Sequence, residues 1–209
     1  MSFPILGLTG PSGAGKSFVA AHLRDAHGFA WIDTDAVYHE LTSAPSPCLD
    51  ELQAAFGKCI IKDGALHRPT LAAIVFAPGA QDKLLLLNAI THKHVIAESA
   101  KRIEAAKANG ARGAILDAPL LFEAGADALC THTCAVLADR TVRKARIMAR
   151  DNLSEEAADK RLDAQKPDAF YAEKADFVFE DNNEDNHLQG NDSIKATLSL
   201  VNRLAKELI

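Results

Sequence analysis

An α/β fold built on a parallel sheet is predicted by three features of this 209-residue chain. Five short apolar runs, at 3–8, 29–33, 114–117, 131–138 and 175–179, have the length and residue content of strands. Helix-compatible segments separate them, and strands alternating with helices imply parallel pairing through crossover helices. The first run also enters a glycine-rich turn that opens directly onto a helix, the start of a βαβ unit.

That turn carries the most chemistry. Gly10-Pro11-Ser12-Gly13-Ala14-Gly15-Lys16-Ser17 fits G-x-x-x-x-G-K-[ST], with an apolar strand before it and a helical segment to His27 after it. Glycines let successive backbone N–H groups curl inward on phosphate oxygens, and the helix N-terminus adds positive potential. Gly13, Ala14, Gly15, Lys16, Ser17 and Phe18 therefore read as a nucleoside triphosphate cradle. Lys16 is placed for the β- and γ-phosphates, and the Ser17 hydroxyl for Mg²⁺.

The second strand, Phe29-Ala30-Trp31-Ile32-Asp33, brings Asp33 and Asp35 to its carboxyl end, the edge at which open α/β sheets bind ligands. Acids there suit a general base for a hydroxyl and an outer partner for Mg²⁺. The plainer reading of Asp35 is a cap on a helix over 36–41, and the two roles are compatible. Pro45 and Pro47 break the pattern, and from Cys48 to Asn109 the signals are helical, with a long segment over 80–108 closed by Asn109-Gly110. This is the pattern of a helical insertion that forms a substrate-binding subdomain. Within it Arg68-Pro69 precedes a helix, and Asn88 and His92 lie one helical turn apart, on what spacing alone makes a solvated face.

The third strand closes on Asp117, and a hydrophobic loop through Leu120 and Glu123 follows. An acid ending an apolar strand is a weak Walker B pattern. Beyond the fourth strand, Arg143, Arg146 and Arg150 recur at i, i+3 and i+7, on one side of a helix. Such a row is usually solvated charge; beside a phosphate loop it suits a lid that clamps a transferring phosphoryl group. Ser154 caps a second lid helix, and an amphipathic helix over 193–209 closes the chain. The expected division is a nucleotide-binding core of 1–36, 110–139 and 170–209, a helical substrate domain of 37–109 and a lid of 140–169.

Composition sets the limits. Apolar residues are 48% and charged residues 24%, the balance of an ordinary globular protein. A net charge of −5 argues against a dedicated nucleic-acid binder, so anionic ligands must be held by local cations. No apolar run approaches the roughly 20 residues of a membrane span, and the first residues lack the basic start of a signal peptide. A cytoplasmic protein, a monomer or weak homo-oligomer without nucleic-acid or membrane partners, is the expectation. Cys130, His132 and Cys134 share a strand face, but no second ligand pair at zinc-like spacing lies nearby, and reduced structural thiols are the favoured reading.

Several stretches together resemble the dephospho-CoA kinase family. They are Gly7-Leu8-Thr9-Gly10 through Lys16-Ser17, Ile32-Asp33-Thr34-Asp35, Arg68 through Phe76, Leu87-Asn88-Ala89-Ile90-Thr91-His92 and Asp117-Ala118-Pro119-Leu120-Leu121-Phe122-Glu123. Arg146 through Asp151, Ala164-Gln165, and Ala175-Asp176 with Asn182 continue the match in the family's order, over almost the whole chain. The phosphate loop is shared by many kinases, whereas D-x-D, L-N-x-I-x-H and P-L-L-F-E together are far more specific.

The resemblance implies a P-loop kinase core with a five-stranded parallel sheet, a helical substrate insertion and a helical lid. It implies transfer of the γ-phosphoryl of ATP, with Mg²⁺, to the ribose 3′-hydroxyl of dephospho-CoA, the last step of coenzyme A synthesis. By the same resemblance Asp35 is the base, and Lys16 and Arg146 stabilise the transferring group. Arg143, Arg150 and Asn182 join the loop on the ATP side. Asp33, His39, Arg68, Asn88, His92, Asp117 and Leu120 face the acceptor, with Asp117 a second candidate for Mg²⁺ after Ser17. The chain departs from the family in having His39 where an Arg is common, Lys93 where Pro follows the histidine, and Pro11-Ser12 in the loop. The alternatives are another P-loop kinase of a small metabolite and a non-catalytic P-loop regulator.

Overall fold

A computed structural model describes residues 3–181 and 192–208, the last stretch with side chains at 199 and 201–208. Two compact units divide the chain, Met1–Ile32 with Ile103–Ile209, and Asp33–Arg102.

In the first unit, β1 (Ile5–Thr9) leads through the glycine loop to α1 (Lys16–His27), then to β2 (Phe29–Asp33). After the second unit come β5 (Gly113–Asp117), β6 (His132–Leu137), α6 (Arg140–Asp151), α7 (Glu155–Asp163), α8 (Asp168–Ala172), β7 (Phe177–Glu180) and α9 (Asp192–Leu208). The strands form one sheet in the order β2-β5-β1-β6-β7. Pairing is parallel, with Leu8 opposite Asp117 and Cys134, and Leu137 opposite Glu180. The interior strands are buried along nearly their whole length, as a sheet covered on both faces requires. One face packs Leu6, Leu8, Cys134 and Val136 against Val19 and Leu23 of α1 and Val201, Leu204 and Ala205 of α9. On the other, Ala135 and Leu137 meet Tyr171 of α8. Parallel strands end on the same edge, so the loop after β1, Asp117 at the end of β5 and Asp181 after β7 share it.

The second unit holds α2 (Thr34–Ser43), α3 (Pro47–Phe56), β3 (Ile61–Lys62), β4 (Ala65–Leu66), α4 (Arg68–Val75) and α5 (Gln81–Ala108), whose last residues from Ile103 fall in the first unit. Cys48, Leu49, Leu52, Ile60, Leu66, Leu71, Val75 and Ile90 form its core. Ser46 caps α3 by accepting from Leu49 N at 3.0 Å, with Pro47 in the first turn where its missing N–H costs nothing. Glu51 on α3 takes Lys93 Nζ at 2.6 Å and His94 Nε2 at 2.7 Å from α5, which gives Lys93 a tethering contact that proline could not make.

The all-helical reading of 48–109 needs correction at β3 and β4, an antiparallel hairpin. Asp63 and Gly64 form its turn with φ of 52° and 77°, the left-handed pair that a two-residue hairpin turn requires. An Asp-Gly pair between short apolar segments is the signal for it. The cap of α2 is a second correction: Asp33, not Asp35, accepts from the N–H groups of Asp35 and Ala36, at 2.9 and 3.2 Å. The compact unit that holds these elements begins at Asp33 and ends at Arg102.

Candidate active site

The nucleotide half lies in the first unit. Gly10 has φ of 134°, and a Cβ there would stand 2.1 Å from the carbonyl oxygen of Val136, so only glycine lets the loop leave β1 this closely. Lys16 begins α1, whose first turn contains no acid, and its ammonium donates to the Gly10 carbonyl at 2.8 Å. The lysine thus folds back over the loop at the N-terminus of α1. Ser17 is exposed beside it. At the root of the loop, Ala118 N donates to Leu8 O at 2.9 Å and Thr9 Oγ1 donates to Pro119 O at 3.3 Å. These bonds tie the end of β5, with Asp117 only 6% exposed, to the end of β1.

The arginine row divides. Arg146 NH1 donates to Gly13 O at 3.1 Å, and its NH2 donates to Asp181 Oδ2 at 3.0 Å. The backbone of Arg143 packs under the loop, where a Cβ on Gly13 would stand 2.7 Å from its carbonyl oxygen. Arg150 instead donates to its neighbour Asp151, whose carboxyl it holds down at about 2. Arg140 and Lys144 go to Asp159 on α7 and so tie α6 to α7. Gln165 Oε1 accepts from Ser12 N at 3.2 Å, a second contact from this segment to the loop.

Asp181 is the residue that sequence reasoning passed over. It is 1% exposed, its partner Arg146 has a side chain only 10% exposed, and the bare Gly15 leaves room for the carboxylate. Breaking a buried pair from one side costs about 3–5 kcal/mol because a charge is left stranded. Asp181→Ala is expected to lower unfolding stability by about that amount, and adding Arg146→Met to recover part of the loss. Urea melts check it, and strictly additive losses would refute the coupling.

The acceptor candidates lie in the second unit. Asp35 is exposed on the first turn of α2. Arg68, opening α4, reaches α2, where its NH2 meets His39 Nδ1 at 2.7 Å and Thr42 Oγ1 at 3.1 Å. Asn88 and His92 are half-buried on α5, around Thr91, whose hydroxyl donates to Leu87 O at 2.9 Å. Leu120, in the first unit, is 50% exposed after β5. Asn182 lies outside the described residues.

Burial pushes the Cys130 and Cys134 thiols up to about 12, which keeps them protonated and poor metal ligands. Among the described residues no group of three or more His, Cys, Asp and Glu is arranged to hold a metal.

Residues 4–187 match the family model for dephospho-CoA kinase. The chain belongs to the dephospho-CoA kinase family. It is 38% identical over 200 residues to a dephospho-CoA kinase of Corynebacterium glutamicum, covering 94% of this chain and 98% of that one. To the dephospho-CoA kinase of Moorella thermoacetica it is 44% identical over 163 residues, covering 77% and 76%. Among solved structures it is similar to TT1252 of Thermus thermophilus, with a TM-score of 0.74, 30% identity and full coverage of both chains. The dephospho-CoA kinase of Campylobacter jejuni shares the fold, with a TM-score of 0.66 at 23% identity over 98% of each chain. So does the shikimate kinase of Bacteroides thetaiotaomicron, at 0.56 and 14% over 98% and 99%. The family fold thus has the α/β P-loop kinase core with its five-stranded parallel sheet.

Proposed function

We propose that this chain transfers the γ-phosphoryl group of ATP to the ribose 3′-hydroxyl of dephospho-CoA, giving coenzyme A. The observation that carries the reading is the family match across residues 4–187, which includes the phosphate loop together with Asp35, Arg68, Asn88 and His92.

The loop amides and Lys16 hold the triphosphate, and Arg146, aimed at Gly13 O, meets charge that develops on the transferring group. Phe18 and Asn182 complete the nucleotide side, with Arg143 supporting the loop from below. Asp35 takes the proton of the attacking hydroxyl, while Asp33 holds the helix on which Asp35 sits. Arg68, His39, Asn88, His92, Asp117 and Leu120 orient the acceptor. Mg²⁺ fits the donors present: an exposed Ser17 hydroxyl and the Asp117 carboxylate suit an ion that takes few protein ligands and fills its shell with water and phosphate oxygens. When bound it neutralises phosphate charge. No helix among the described residues is long and apolar enough to cross a membrane, and we assign the reaction to the cytoplasm.

Purified protein mixed with ATP, Mg²⁺ and dephospho-CoA should yield coenzyme A by mass. Folded protein that binds ATP and makes none would overturn the reading, and a panel of other hydroxylated acceptors would then identify its substrate.

A further inference from the structure

The side chain of Arg68 is held without a carboxylate. Arg102, Arg140 and Arg150 each pair with a carboxylate, whereas no carboxylate among the described residues pairs with Arg68. Its partners all come from α2 and are all neutral. Its NH2 donates to His39 Nδ1 at 2.7 Å and Thr42 Oγ1 at 3.1 Å, and its Cζ lies 5.7 Å from the centre of the Tyr38 ring. A guanidinium has donors only, so the short contact requires a lone pair on Nδ1 and therefore a neutral imidazole with its proton on Nε2. Thr42 spends its own proton on Tyr38 O at 2.8 Å, which leaves its oxygen to accept. Burial pushes the Tyr38 phenol up, so the ring stays neutral and presents its face to the cation.

We propose that His39, as a neutral imidazole, is a positioning residue that fixes Arg68 while leaving its charge uncompensated, so that the guanidinium binds a phosphate group of the acceptor substrate. The inference rests on the acceptor role of Arg68 given above. A carboxylate at position 39 would neutralise the guanidinium, whereas a neutral acceptor orients it and keeps the charge for the ligand. The charged groups around His39 agree with this. Glu40, next to it on α2, is held by Arg102 of α5, whose hydrogen bonds keep its carboxyl below the usual range, and Arg102 is shared with Glu98. The cation facing His39 from α4 is Arg68 itself.

Steady-state kinetics of the wild type, His39→Leu, His39→Asn and Arg68→Leu test the proposal. His39→Leu should raise the KM for dephospho-CoA about five- to tenfold with the KM for ATP unchanged and a smaller effect on kcat, the pattern of lost binding to the acceptor alone. His39→Asn should restore the wild-type KM, because Oδ1 can accept where Nδ1 does. An unchanged acceptor KM in His39→Leu overturns the proposal, as does a KM in His39→Asn as high as that of His39→Leu. If Arg68→Leu raises the KM and His39→Leu does not, the inference fails and the Arg68 role stands. If dephospho-CoA is not turned over at all, the functional reading fails instead, and calorimetric binding of dephospho-CoA to the same variants reads the His39 effect independently.

Discussion

Replacing Asp35 with Asn should lower kcat with dephospho-CoA by about 10²- to 10⁴-fold, the usual worth of a positioned general base. Asn keeps the shape and the hydrogen-bonding oxygen of the side chain but has no useful proton affinity, so the change isolates proton transfer. Two features keep the experiment clean. The capping of α2 belongs to Asp33, whose bonds to Asp35 N and Ala36 N use backbone groups that the substitution leaves intact. Asp35 itself is exposed on the first turn of α2, so an isosteric substitution leaves the packing of the helix undisturbed. ATP binding, measured by calorimetry, should be unaffected. Turnover within about tenfold of the wild type would remove Asp35 from the role.

Lys16→Ala should cost about 10²- to 10³-fold in kcat, comparable to deleting one preorganised donor at a site of developing charge. The lysine sits at the start of α1 and folds its ammonium back to the Gly10 carbonyl, which places the cation over the loop. Alanine is the best helix former, so α1 should persist and the circular dichroism melt should change little. A variant that retains turnover within about threefold would show that the loop amides and Arg146 suffice without the ammonium.

Both targets could be read from the chain before any coordinates, and the reason is range. The loop motif, the acids closing β2 and β5, and the breaker-free run that becomes α5 are written in residues close together in sequence. Local sterics and hydrophobic periodicity determine such features. The hairpin at Ile61–Leu66 was equally local, since Asp63-Gly64 announces it, but its strands are two residues each and vanish into the helical periodicity around them. The helix cap shows a finer limit. Asp33 and Asp35 are both acids at a strand-to-helix junction, and only the backbone angles decide which one turns back to the free N–H groups.

The arginine row marks where sequence stops. Spacing put Arg143, Arg146 and Arg150 on one helix side, yet Arg146 reaches Gly13 and Asp181, while Arg150 turns to Asp151. The outcome depends on which strand end arrives beside each guanidinium, and Asp181 follows β7, 35 residues farther along the chain. The same holds for Arg68 and His39, which are 29 residues apart and meet because α2 and α4 border the same core. From its sequence alone this protein is determined as a P-loop α/β chain with a nucleotide cradle and acids at its strand ends, because short-range chemistry specifies those parts. Only the tertiary structure decided which cations serve the ligands and which serve the fold, because a charged side chain takes its role from the partner that packing brings to it.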